Sequence, residues 1–184
     1  APRSVGRPVL HLEQRIVDPE SGRILEDGRE GEVRMRGPNV MKGYYKLPEE
    51  TAQAFDADGF LRTGDIGRFD DQGRLSITGR LKEMIIVGGE NVFPREIEEV
   101  LNQHPAVHAS GVVGHRDDIR GEVPVAFVEF REGATATDVE LREWCRERIA
   151  GYKIPREVRI VPSLPRNPTG KIMRRELAKL LAAN

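Results

Sequence analysis

Residues 79–101 read GRLKEMIIVGGENVFPREIEEVL, and their reading decides the fold. Met84 to Val87 is a short apolar, β-branched run, which predicts a strand. Gly88 and Gly89 follow. Lacking a Cβ, they can take backbone angles closed to other residues, so the chain turns sharply there. Pro94 opens a helix, where its missing N–H costs nothing. Ile97, Val100 and Leu101 recur at helical spacing and give that helix one buried face. Arg80, Leu81, Lys82 and Glu83, just before the strand, are mostly charged and form no element of their own, so that segment can bend. Spacing alone therefore predicts strand, glycine turn and helix, a combination that also serves as a plain connector.

The surrounding composition narrows the class. A chain of 184 residues has room for one or two domains. Apolar and charged fractions are those of a globular protein. No apolar run approaches the ~18 residues needed to span a bilayer, and the N-terminal APRSVGRPVL has no apolar signal core. Cys145 is the only cysteine, which excludes an internal disulfide and a cysteine metal cage and makes a reduced cytoplasmic setting the default. A formal net charge of -1 argues against a general nucleic-acid binder. His11, His104, His108 and His115 show no ligand spacing, so no metal site is expected; His108 and His115 read as a strand-end and loop pair.

Upstream of the stretch, Val9 to Asp18 alternates and predicts a strand, closed by the turn Asp18 to Gly22. Gly31 to Arg36 predicts a second strand, with Val33 and Met35 on one face. Pro48 to Phe55 predicts a short helix. The strands Ile66 to Phe69 and Leu75 to Thr78 flank a hairpin turn at Asp70 to Gly73. Short strands with polar turns suggest part of a barrel or sandwich. Downstream, the helix at 94–103 is ended by His104-Pro105. Strands are predicted at Val107 to Val113, Val123 to Phe130 and Val158 to Val161, with a polar loop from His115 to Gly121. Val125 and Phe127 share one face of the middle strand, Val128 and Phe130 the other. Thr137 to Glu140 is a capping box for a helix running to Ile149, which buries Leu141, Trp144, Cys145 and Ile149. A last helix spans Arg174 to Ala182. The class is α+β.

The opening stretch closely resembles the hinge region of the adenylate-forming superfamily, which holds acyl-CoA synthetases, peptide-synthetase adenylation domains and firefly luciferase. GGENVFPREIE is most similar to bacterial medium- and long-chain fatty acid–CoA ligases, and GEVRMRGPNVMKGYYKLPEETAQAF looks like the end of their large N-terminal domain. The resemblance implies that residues 1–81 are the remnant of a small antiparallel β-barrel subdomain. Residues 82–184 would be a compact, mobile C-terminal α+β domain, a small sheet flanked by helices, with its hinge at Lys82. The family's phosphate loop and acyl pocket are not found in the chain. It is therefore expected to be a C-terminal fragment, inactive in isolation, with exposed edge strands prone to self-association.

Residue roles follow from the same resemblance. Asp65, in LRTGD, would hold the ATP ribose hydroxyls; a carboxylate accepts two hydrogen bonds from a vicinal diol. In isolation, Thr-Gly-Asp is a turn or cap. Arg80 would help hold the nucleotide, and a surface salt bridge is its alternative. Gly88 and Gly89 would let the CoA pantetheine pass close to backbone. Tyr152, in GYKIP, would stack on the CoA adenine, or else serve packing; Ile154 stands where an arginine would help a CoA phosphate. Lys171, in PRNPTGK, would be the catalytic residue, offsetting the repulsion when a carboxylate attacks the ATP α-phosphate. From the loop alone it reads as a solvated lysine before a basic helix, and Ile172 excludes a Walker loop. The implied reaction uses ATP, CoA and Mg²⁺ carried on the phosphates, and acetylation of Lys171 would silence it. Two other readings stand beside it: an adenylation domain delivering to a carrier protein, and a non-catalytic module that kept the fold.

Overall fold

In the computed structural model, which describes residues 4–182, the alternation upstream of Lys82 becomes an open antiparallel sheet. Its strands β1 (Glu13–Val17), β2 (Gly31–Arg36), β3 (Leu61–Phe69) and β4 (Leu75–Arg80) pair in chain order, and α1 (Pro48–Ala54) lies between β2 and β3. Ile16, Val33 and Leu75 form the core of this unit, joined by Leu25, Phe69 and Ile77. The pairing path among the described strands runs from β1 to β4 without closing, so the expected barrel remnant is an open sheet. The starts of two strands differ from the sequence expectation for local reasons. The first strand starts only at Glu13, because His11 adopts a positive φ of 65° and Leu12 N–H donates back to the Val9 carbonyl in a tight turn. The third includes LRTGD, because a bulge at Ile66/Gly67 lets Asp65 pair with Arg80 while the register continues.

Binary patterning also missed the charges inside this sheet. Glu32 and Arg34 are buried alongside Val33. Arg34 Nε donates to Glu32 at 2.8 Å and Nη1 to Asp56 at 3.1 Å, while Arg15 donates to the same Asp56 oxygen at 2.6 Å. Arg15 also stacks 3.9 Å from the centre of the Phe60 ring. Burial opposes ionisation of Asp56, but the Phe60 N–H and the two guanidinium groups outweigh it and bring its pKa down to about 2.

The second unit begins at Glu83. A single 3₁₀ turn, Leu81–Glu83, carries the segment expected to have no structure, with Arg80 ending β4 instead. The expected strand–turn–helix is here strand, hairpin, second strand and helix: β5 (Ile85–Val87) pairs with β6 (Glu90–Val92) before α2 (Pro94–Leu101) starts. Next come β7 (Val107–Asp117) and β8 (Gly121–Phe130), a long hairpin whose pairing runs down to Asp117 opposite Gly121. The predicted loop at 115–121 is thus mostly strand, and His115 lies on β7 opposite Val123 rather than in a loop. The chain then forms α3 (Asp138–Arg146), β9 (Glu157–Ile160), parallel to β8, and α4 (Arg174–Ala182). The Thr137–Glu140 capping box is present in full, but α3 ends three residues before Ile149.

β8 is the axis of this unit because both its faces are buried. Ala126 and Val128 pack with Ile97 and Leu101 of α2 and Leu141 and Cys145 of α3. Val125 and Phe127 pack with Leu164 and with Leu177 and Leu181 of α4. Burial pushes the Cys145 thiol up to about 11. Gly111 on β7 lets α4 sit close: a Cβ there would lie 2.6 Å from Leu177 Cδ1.

The depressed Asp56 pKa makes a pH-dependent contribution. Because the folded value lies below the ordinary 3.8, the stabilisation is complete above pH 4 and is lost as pH falls toward 2. Asp56→Asn is expected to cost about 2 kcal/mol at neutral pH. In urea titrations the gap between variant and parent should close over that acid window.

Candidate active site

The nucleotide candidates sit together on the first sheet. Asp65 and Arg80 are direct cross-strand partners on β3 and β4, and Arg80 Nε lies 2.9 Å from Asp65 Oδ1. Both side chains keep solvent exposure, 31% for Asp65 and 54% for Arg80, so the carboxylate is reachable as well as paired. The bulge of β3 before Asp65 is held from beneath. Gly64 has a φ of 67°, and its N–H donates to Glu32 at 3.2 Å. Thr63 Oγ1 donates to the Val33 carbonyl at 2.6 Å and accepts the Asp65 N–H. Buried Glu32, paired to Arg34, therefore fixes the bulge that presents Asp65.

The glycine pair makes the β5–β6 hairpin. Gly88 and Gly89 have φ values of 59° and 89°, the consecutive positive pair of a type I′ turn, which a side chain would strain. Gly88 N–H donates to the Arg120 carbonyl at 2.8 Å, and Val87 pairs with Gly121 at the start of β8. A cleft of about 310 Å³ opens beside the turn, lined by Val87, Gly88, Glu90, Arg120, Gly151 and Tyr152. The structure thus brings Gly88 and Tyr152 to one cleft and adds a cation, Arg120, that the sequence reading missed. Tyr152 is exposed on the 3₁₀ turn Gly151–Lys153. A Cβ on Gly88 or Gly89 would meet open space, which leaves room for a ligand to approach the backbone.

Lys171 stands on a different loop. Arg166 and Ile172 form an isolated antiparallel bridge, and Met173 N–H donates to the Pro165 carbonyl at 2.8 Å, so residues 165–173 close as a small hairpin. Asn167 organises its tip: its Oδ1 accepts from Thr169 N–H, Thr169 Oγ1 and Lys171 N–H at 2.8 to 3.0 Å. Gly170 takes a φ of 82° at the turn. Glu129 at the far end of β8 accepts the Leu164 N–H at 2.9 Å and anchors the stem. The Lys171 side chain is exposed and makes no hydrogen bond or ion pair among the described residues.

Lys82 is exposed on the 3₁₀ turn. Next to it, Glu83 reaches Arg174, which also grips Glu98. Burial pushes the Glu98 carboxyl up, partly offset by Arg174 and the Val112 N–H. These partners escaped sequence reasoning because they lie far apart in the chain. Asn167 also went unread, although Asn-Pro-Thr-Gly is itself a turn signal.

Residues 96–171 match the AMP-binding enzyme C-terminal domain, and residues 1–45 match the AMP-binding enzyme family. The chain is 44% identical over 178 residues to a 2-succinylbenzoate–CoA ligase of Geobacillus kaustophilus, covering 97% of this chain and 36% of that protein. It is 45% identical over 174 residues to a sulfoacetate–CoA ligase of Cupriavidus necator, covering 95% and 34%. The solved structure of ATP-bound MatB from Rhodopseudomonas palustris superposes with a TM-score of 0.91 at 37% identity, covering 97% of this chain and 35% of that one. The chain thus spans about a third of the length of the relatives it matches.

The Asn167 contacts make a direct expectation for the lysine loop. Asn167→Ala removes the acceptor for three donors, so trypsin should cut after Lys171 faster than in the parent. An unchanged cleavage rate would mean that the closed stem alone holds the tip.

Proposed function

Given that the chain belongs to the AMP-binding family of adenylate-forming enzymes, we propose that it supplies the ribose-holding strand and the mobile, lysine-bearing domain of an AMP-forming acid–CoA ligase. In the first half-reaction a substrate carboxylate oxygen attacks the α-phosphorus of ATP, the bond to the β-phosphate bridge breaks, and pyrophosphate leaves. Asp65 accepts hydrogen bonds from the ribose hydroxyls, with Arg80 orienting that carboxylate. Lys171 stabilises the negative charge gathering at the phosphorus. In the second, the CoA sulfur attacks the acyl carbonyl carbon and the mixed-anhydride bond breaks, releasing AMP. The Gly88-Gly89 turn guides the pantetheine arm, and Tyr152 meets the CoA adenine. Mg²⁺ is assigned to the phosphates, and no residue of this chain is proposed to hold it.

One observation carries the use of two devices in turn. The glycine hairpin hangs on β8 at Gly121, whereas Ile172, beside Lys171, packs against Gly111, which pairs with Phe127. Those six residues of strand set the two anchor points about 20 Å apart. Rotation of the second unit about Lys82 would present the two devices alternately. Lys171 has the exposure that such a visit needs. The acid stays open as a carboxylate: a fatty acid is the expectation from the hinge motif, while the relatives are named for succinylbenzoate and sulfoacetate.

In the full-length protein, Lys171→Ala should lower ATP–pyrophosphate exchange by about 100-fold or more. Thioester formation from supplied acyl-adenylate should persist. Equal loss of both would overturn the assignment.

A further inference from the structure

Arg174 opens α4, three residues after Lys171. Its Nη2 donates to both oxygens of Glu98 at 2.9 and 2.7 Å, and its Nη1 lies 3.1 Å from Glu83 Oε2. Glu83 closes the 3₁₀ turn that carries Lys82. Glu98 lies on α2, and its Oε1 also accepts the Val112 N–H of β7 at 2.8 Å. One guanidinium therefore gathers the turn at the proposed hinge, a core helix and the root of the lysine loop. The Glu98 side chain is 13% exposed and those of Arg174 and Glu83 about a quarter, so the cluster is shielded more than a surface pair. Arg174 Nε is buried with no hydrogen-bond partner, which leaves the grip to the two Nη groups.

The two devices differ in how they are tied to the hinge turn. The glycine hairpin follows covalently, because β5 starts two residues after Glu83 and runs straight into Gly88. The lysine loop lies far along the chain and meets the hinge turn through Arg174. We propose that Arg174 is a positioning residue that locks the lysine loop to the hinge turn, so that rotation about Lys82 is delivered to the Lys171 ammonium. The proposal rests on Lys171 acting in adenylation. It explains the residue type, since a planar fork can span two carboxylates on separate elements and a single ammonium cannot hold both in the same geometry.

The test uses the full-length protein and four variants: Lys171→Ala, Arg174→Lys, Arg174→Met and Glu83→Gln. Glu83→Gln leaves the buried Glu98–Arg174 pair in place, so its fold should survive even if Arg174→Met unfolds. ATP–pyrophosphate exchange and thioester formation from supplied acyl-adenylate are measured separately, with thermal unfolding alongside. Glu83→Gln and Arg174→Lys should each lower kcat for exchange by about 10-fold or more, as expected for a group displaced by an ångström, with KM for ATP unchanged. Thioester formation should keep the parent rate. The proposal is overturned if Lys171→Ala abolishes exchange while Glu83→Gln and Arg174→Lys leave it at the parent rate. Parallel losses in both half-reactions would also overturn it, since they mark a purely structural role. If Lys171→Ala itself leaves exchange intact, the underlying assignment falls and takes this one with it.

Discussion

The second unit depends on a single strand having no solvent face. β8 alternates side chains into two separate cores, Ala126 and Val128 toward α2 and α3, Val125 and Phe127 toward α4. A residue shift along β8 would exchange those sets, so its register is firmly specified. Everything of chemical interest in this unit inherits that register. Gly121 fixes the glycine hairpin through Val87, and Glu129 fixes the lysine loop through the Leu164 N–H. A loop can be precise when its stem is set by a strand that cannot slip.

The first unit solves a similar problem with charge. Its sheet is small and open, and its apolar core is modest. Buried Glu32, Arg34 and Asp56 satisfy one another, and through Gly64 they reach the bulge of β3 that carries Asp65. Such a network is a weak source of stability when compared with an apolar core, but it fixes geometry, because removing one member leaves the others buried and unpaired.

Local signals were legible wherever the controlling contact was local. The Thr137–Glu140 capping box, the two apolar faces of β8 and the Gly88-Gly89 turn are spelled out by neighbouring residues. Pairing partners from elsewhere in the chain were not. β6 is three residues, ENV, whose first two side chains are exposed, and it is a strand only because β5 lies opposite. The ends of β7 and β8 look polar, yet each completes the other's ladder down to Asp117 and Gly121. Glu32 and Arg34 looked like the wet face of a strand, and Arg15 and Asp56, which bury them, come from separate segments. Arg120 reached the cleft through the same hairpin that sequence reading left as loop. The family resemblance supplied roles for Asp65, Gly88 and Lys171; the supports for those residues came from the fold.

The sealed position of Cys145 has a consequence for chemical fidelity. Acyl-adenylates are strong acylating agents, and any accessible thiolate would capture the acyl group as a dead-end protein thioester. With its side chain fully enclosed and its thiol held protonated up to about 11, the chain's single cysteine offers no such competing nucleophile. In the proposed reaction, where an activated acyl group passes to an incoming thiol, the scaffold's own thiol is kept out.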